Sequence, residues 1–341
     1  MSSVKKVADI AGVSSATVSR ALNRPEMVAE KTRKRVVAAA EKAGYAGNYL
    51  ARNLRVRRTS NVVVLVPNIA NPFFSEIIRG IERVAQGLGY CVLLGDTQDS
   101  PAREQAYEDM LATKRADGLI SLSATSPKVT KGASAADFLD QPIVNACECP
   151  EGTPVRTVQL DNIGAARKAT EYLISLGHRR IGFVTGPPAS PLTQSRLAGY
   201  RAAMELAGIE CAENLVVRGD FSIQSGIVAA QQLLSADQPP TAIFCSNDEM
   251  ALGAMSTLKA RGYLIPEQIS VMGFDNILFS QYFDPPLTTV AQPMQEIGKR
   301  AMTMLADILA GNPPAVKDVI LPFELVVRAS TAPPKVLSRA V

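Results

Sequence analysis

No stretch of this sequence approaches the roughly 20 consecutive apolar residues that a bilayer-crossing helix needs. Lys, Arg, Asp or Gly breaks every hydrophobic run sooner, which excludes a membrane span, and no charged-then-apolar leader precedes the first helical pattern. Cysteine is sparse: Cys91, Cys147, Cys149, Cys211 and Cys245 form an odd, scattered set, so a disulfide framework is not expected and a reducing cytoplasm is the simplest location. Cys147 and Cys149 have no second pair to complete a metal site, and read as two thiols of a buried strand. Histidine occurs once, His178 in "LGHRR", without a serine or cysteine nucleophile context. The glycines of "VTGPP" match neither G-x-G-x-x-G nor a phosphate loop. No metal, no cofactor and no enzymatic activity are expected.

What is present begins with length. At 341 residues and 47% hydrophobic, the chain can build two or three compact units with sizeable cores. The net charge is only +4, but its distribution is uneven. Residues 1 to 60 hold 13 Lys and Arg against four acids, Asp9, Glu26, Glu30 and Glu41. The remainder holds 23 basic and 28 acidic residues, so the basic end is a separate electrostatic object. Such asymmetry points to a polyanionic partner whose binding weakens with salt.

From Val4 to Tyr45 the apolar residues recur at helical spacing and predict three short helices, with Ser14 or Ser15 capping the second and Gly44 ending the third. The first two, near Lys6 to Ala11 and Ser15 to Leu22, make a helix-turn-helix around "GVS". Ala8 and Ala11 are small enough for a close crossing, Gly12 can take a positive φ in the turn, and Val13 and Val18 can pack the angle. The second helix then offers Ser15, Ala16 and Thr17 where recognition helices meet base edges, while Ser14, Ser19 and Arg20 suit phosphates. "NYLARNLRVRRT" reads as a hinge, with Asn48 placed to cap a short helix.

At Asn61 the texture changes to buried strands alternating with amphipathic stretches. Strands are expected at 62–66, 90–94, 118–122, 142–145, 157–160, 180–185, 215–218, 242–245 and 270–273. Alternating β and α argues for parallel sheets with right-handed crossovers, and the strand count requires two consecutive units breaking near Asp161. Ligands of such units bind outside the carboxyl ends of the strands. "NPFFSE" places Asn71, Phe73 and Phe74 there, an amide beside aromatic faces that suit a sugar ring, although two adjacent phenylalanines also read as core packing. Glu104, Glu108 and Asp109 read as a solvated helix face.

"VKKVADIAGVSSATVSRALNRPEMVAEKTRKRVVAAAEKAGY" resembles the headpiece of the lactose-repressor (LacI) family, and "GHRRIGFVTGP", "RLAGYRAAM", "PTAIFCSNDEMALGAM", "VMGFDN" and "PPLTTVAQP" resemble its effector core in order and spacing. The resemblance implies an all-α helix-turn-helix headpiece (1–46) and a hinge helix and linker (47–60). It implies next an α/β periplasmic-binding-protein-like core of two doubly wound parallel-sheet subdomains, 61–160 with 290–320 and 161–289 with 321–341. It further implies a homodimer on a pseudopalindromic operator in double-stranded DNA. Asn23 would belong to the recognition surface, and Ala51, Leu54 and Arg55 to hinge helices entering the minor groove, with Leu54 as the intercalating leucine. Gly47 stands where the hinge often begins with proline. By motif, Arg196, Phe221, Asn247, Asp275 and Gln292 join Asn71, Phe73 and Phe74 in a set similar to the version that grips ribose, and Asp275 and Arg196 can each hold two hydroxyls. "GDFSIQSG", "FDPPLTTVAQP" and Glu148 of "ACECP" resemble the cytidine-responsive branch, and the Asp-Trp pair of free-ribose regulators is missing near Glu148. The implied small-molecule effector is a nucleoside such as cytidine, with free ribose second.

Overall fold

The computed structural model describes residues 4–23, 25–45, 58–123, 139, 141–148, 152 and 154–335. They fall into two units, one ending at Thr59 and one beginning at Ser60.

In the first unit α1 (Val4–Ala11), α2 (Ser15–Asn23) and α3 (Glu30–Lys42) surround a small core of Val7, Ala8, Ala11, Val18, Ala21, Val36, Ala39 and Ala40. Gly12 ends α1 at φ 60°, and Val13 N–H donates back to Ala8 O. Gly44 closes α3 in the same way at φ 58°, with Tyr45 N–H donating to Ala40 O, the bonding of a left-handed helix cap. Of the two serines offered as the cap of α2, Ser14 does it: its Oγ accepts from Thr17 N–H at 3.1 Å. Residues 47–57 of the expected hinge, with Gly47, Asn48, Ala51, Leu54 and Arg55, lie outside the described residues.

The second unit holds two six-stranded sheets. The first contains β1 (Asn61–Val66), β2 (Cys91–Asp96), β3 (Gly118–Ser121), β4 (Ile143–Ala146), β5 (Arg156–Leu160) and β11 (Asp318–Leu321), in the order β11-β5-β4-β3-β1-β2 and wholly parallel. The second contains β6 (Ile181–Thr185), β7 (Val216–Arg218), β8 (Ala242–Cys245), β9 (Ser270–Asp275), β10 (Thr288–Ala291) and β12 (Glu324–Val326), in the order β12-β10-β9-β8-β6-β7, with only β12 antiparallel. The three last strands were not foreseen, because "TTVA", "DVIL" and "ELV" are short and mix polar residues into an apolar pattern. β10 lies wholly in the second sheet and Leu321 in the first, so the chain returns to the first lobe after Ala291 rather than at residue 290.

Helices cover both sheet faces, so consecutive residues of one strand enter different cores. Val62, Val64 and Val66 pack with Ile77 and Ile81 of α4 (Pro72–Leu88) and Ile297 and Leu305 of α10 (Met294–Leu309). Val63 and Leu65 pack on the other face with Tyr107 and Met110 of α5 (Pro101–Ala112). In the second lobe, Phe183, Phe244 and Phe274 meet α6 (Asn162–Ser175) and α7 (Pro191–Leu206), while Val184, Ile243 and Val271 meet α8 (Ile223–Leu234) and α9 (Asp248–Ala260). No helix among the described residues is long and apolar enough to cross a membrane.

The helix pair α4 and α10 approaches at glycine. A Cβ on Gly298 would stand 2.0 Å from Ile77 O, and one on Gly80 would stand 2.2 Å from Gln295 O. Both obstacles are backbone, which cannot swing aside. Gly298→Ala is therefore expected to destabilise the chain by roughly 1–3 kcal/mol through overpacking; urea unfolding should show a lower midpoint with an unchanged slope.

Candidate functional site

The first candidate surface is the start of α2. Ser15, Ala16 and Arg20 are exposed there, and Thr17 and Ser19 are partly exposed, all on the helix whose buried side is Val18 and Ala21. Thr17 Oγ1 lies 2.9 Å from Ser14 Oγ, so the capping serine also orients the threonine. Asn23 is the last residue of this helix.

The second candidate is a cluster of buried polar side chains at the carboxyl ends of the strands in the second unit. Asp275 is the last residue of β9 and Gln292 follows β10 directly; Gln292 Nε2–H donates to Asp275 Oδ1 at 2.7 Å. Arg196 lies within α7 rather than after a strand, and is 2% exposed. Its Nε donates to Asn162 Oδ1 at 3.0 Å and its Nη1 to Ser246 O at 2.5 Å; Nη1 also stands 3.9 Å from Asp275 Oδ1. Its Cζ lies 3.7 Å from the centroid of the Phe274 ring, a cation–π contact on the last aromatic of β9. Among the described residues, Arg196 Nη2 and Asp275 Oδ2 have no hydrogen-bond partner. One donor and one acceptor are thus left on adjacent groups, the pairing that a vicinal diol satisfies.

Asn247, two residues after β8, caps α9 by accepting from Met250 N–H and donates from Nδ2 to Phe221 O at 2.9 Å. This fixes Phe221 at φ 69° in the turn after β7, with its ring where any Cβ on Gly186 would lie 2.2 Å away. On the first lobe Asn71 caps α4 by accepting from Phe73 N–H at 2.9 Å. Phe73 and Phe74 pack edge to face at 5.2 Å and are 5% and 6% exposed within the first-lobe core. Of the two sequence readings, core packing holds for both rings in this structure. Glu148, just past β4, accepts at Oε2 from Ser190 Oγ at 3.4 Å, a bond from one lobe to the other.

The sequence missed several participants. Asn162 and Ser246 hold Arg196, Ser190 meets Glu148, and Asp248 accepts three hydrogen bonds beneath Asp275. The "SND" of "CSNDEM" was the available signal, since all three of its residues are used. Glu104 is corrected: it is 5% exposed and accepts from Ser123 Oγ at 2.9 Å, because the first turn of α5 faces the end of β3. His178 is structural, with Nδ1 2.9 Å from Thr241 Oγ1 and Nε2 2.9 Å from Ala332 O; burial lowers its pKa. Cys147 is buried beyond β4, and Cys149 lies outside the described residues.

Burial raises Glu148 to about 7, against the downward pull of Arg196; Asp99 pushes it up and the Ser190 hydrogen bond pulls it down. Burial likewise raises Asp275, again against Arg196, and raises Asp248 against its hydrogen bonds.

A three-helix basic unit with an exposed recognition helix, followed by a two-lobed core with a polar cleft, defines a DNA-binding regulator with a ligand-binding core. The profile for bacterial regulatory proteins of the lacI family matches residues 3–48, and that for a periplasmic binding protein-like domain matches residues 170–331. The HTH-type transcriptional repressor CytR of Escherichia coli (strain K12) is 43% identical over 328 residues, 96% of this chain and 96% of that protein. The lac repressor dimer bound to operator and the anti-inducer ONPF is similar at a TM-score of 0.84 and 31% identity, covering 97% of this chain and 99% of that one. A LacI family transcriptional regulator from Enterococcus faecium with bound ribose is similar at a TM-score of 0.71 and 29% identity, covering 81% and 100%. The chain belongs to the lacI family of DNA-binding transcriptional repressors.

The raised Glu148 carries a consequence for stability. Between the ordinary carboxylate value and about 7 the folded chain retains a proton that the unfolded chain has released, so its stability falls as pH rises through that window. Asp248 and Asp275 act in the same sense, and His178 in the opposite one. Glu148→Gln should show a shallower loss than the parent when thermal midpoints are compared from about pH 4.5 to about pH 7.5.

Proposed function

We propose that this repressor acts in the cytoplasm as a homodimer on a pseudopalindromic operator and is controlled by a nucleoside such as cytidine. The observation that carries the effector reading is the Arg196–Asp275–Gln292 set, with one unpaired donor and one unpaired acceptor side by side at the strand ends. These take two ribosyl hydroxyls, as Asn247 and Phe221 close the same side and Asn71 faces it from the first lobe, while Phe73 and Phe74 support that side from within the core. Glu148, paired to Ser190 across the lobes, gives the base a polar partner. Free ribose is the second reading, supported by the likeness to the ribose-bound regulator. The resemblance of "GDFSIQSG" and "FDPPLTTVAQP" to the cytidine-responsive branch favours the nucleoside and favours release from DNA on binding. A ligand that bound both states equally would shift nothing, so the effector must distinguish the lobe arrangements.

On DNA, Ser15, Ala16 and Thr17 face base edges in the major groove, Ser14, Ser19, Arg20 and Asn23 support the backbone contacts, and Ala51, Leu54 and Arg55 enter the minor groove.

Two measurements test this reading. Calorimetric titration of the full chain with cytidine, adenosine, uridine and ribose should show tight binding of one nucleoside and weak binding of ribose; tight ribose binding with nucleosides excluded would overturn the nucleoside. Asp275→Ala should lose the effector response while keeping operator affinity. For the headpiece, duplexes enriched from a random pool serve as the operator. Thr17→Ala should relax sequence preference, whereas Arg20→Ala should weaken binding to all duplexes and reduce the salt slope by about one. Equal losses on enriched and random DNA for both variants would contradict the assignment.

A further inference from the structure

Asp275 and Asn276 are consecutive non-glycine residues at φ 116° and 59°. Two such residues in a row are costly, and persist only where the surroundings over-determine them. Asn276 is held at its side chain, where Oδ1 accepts from Arg328 Nη2 at 2.7 Å. The next residues are held from beneath by one carboxylate. Asp248 is fully buried; its Oδ2 accepts from Ile277 N–H at 2.9 Å and from Ser280 Oγ at 2.5 Å, and its Oδ1 accepts from Thr289 Oγ1 at 2.6 Å. Room for that carboxylate comes from Gly273, where a Cβ would lie 2.2 Å from Asp248 Oδ1.

The turn so held faces two ways. Asp275 presents its carboxylate beside Arg196, whereas Ile277, a residue of the second lobe's chain, is 4% exposed in the first-lobe core that contains Phe73 and Phe74. We propose that Asp248 is a positioning residue for the effector cleft: its hydrogen bonds to Ile277 and Ser280 hold the 275–280 turn, with the carboxylate anchored to β10 at Thr289, so that Asp275 meets the ligand's hydroxyls and Ile277 stays docked between the lobes. Asp248 touches no ligand itself and acts through that turn. This rests on the effector reading of Asp275.

Asp248→Asn keeps the shape but removes the charge and replaces one acceptor oxygen by a donor, so at least one of the three bonds is lost or must reverse its direction. Cytidine and ribose are the probes, titrated against the full chain. Whichever of them the parent binds should bind at least about tenfold more weakly to the variant, the scale of losing hydrogen bonds to a charged group. Hydrogen exchange should quicken in the peptide spanning 276–282 while Ile181–Thr185 of β6 stays protected. Ser280→Ala, which removes one donor and leaves the carboxylate, should give a several-fold loss and the same local exchange. Unchanged affinity in Asp248→Asn, or exchange quickened across the whole second sheet, would overturn the positioning role. If the parent binds neither probe, it is the effector reading that fails.

Discussion

A guanidinium sealed inside the second lobe is the constraint around which this core is arranged. Arg196 is 2% exposed, and a charge removed from water is tolerated only when it is paired and hydrogen-bonded. Its partners come from four places: Asn162 at the start of α6, the carbonyl of Ser246 after β8, the Phe274 ring within β9, and Asp275 at its end. Satisfying one side chain thus fixes the relative positions of α6, α7, β8 and β9. The same bonds leave one nitrogen and one carboxylate oxygen unspent, so the cleft's chemistry follows from how the buried charge is accommodated.

Among the described residues, two contacts join the lobes beside the candidate site. Ser190 at the cap of α7 donates to Glu148 beyond β4, and Ile277 enters the first-lobe core from the turn after β9. Both contacts lie within a few residues of the proposed ligand groups, Ser190 six residues before Arg196 and Ile277 two after Asp275. On the proposed reading, a ligand seated there would bear directly on these contacts, the unequal interaction that allosteric control requires. Glu148 is the more easily altered of the two links, because its carboxyl titrates near neutrality while that of an exposed glutamate would not.

The headpiece was legible because its signals are local. Gly12 and Gly44 sit at the two positive-φ caps, and Ser14 sits three residues before the amide it accepts from. The alternating β-branched runs revealed most of both sheets for the same reason, since strands buried on both faces read as continuous apolar stretches. β10, β11 and β12 escaped because each is three or four residues long, and pairing with a distant strand, not its own composition, makes it a strand. The cleft was legible only in part. Asp275, Gln292 and Asn247 could be placed after strands, but Arg196 was readable as a ligand and not as the buried centre of a frame. Asn162, Ser190 and Asp248 gave no signal apart from adjacency, because their roles depend on partners 29 to 42 residues away. Glu104 was misread for the converse reason: the residues before it in the helix, Pro101 to Arg103, are exposed, and its partner Ser123 comes from outside that helix.

On the proposed reading, Nη2 of Arg196 and Oδ2 of Asp275, without partners among the described residues, together take a ribosyl diol. The most direct measurement is the ratio of dissociation constants for cytidine and 2′-deoxycytidine on the full chain at fixed pH and salt. Affinity should fall at least about tenfold without the 2′-hydroxyl, because a site built to hydrogen-bond a hydroxyl is left with unpaired polar groups when it is missing. Measurable binding of both with equal affinity would contradict it and would place the sugar elsewhere in the cleft.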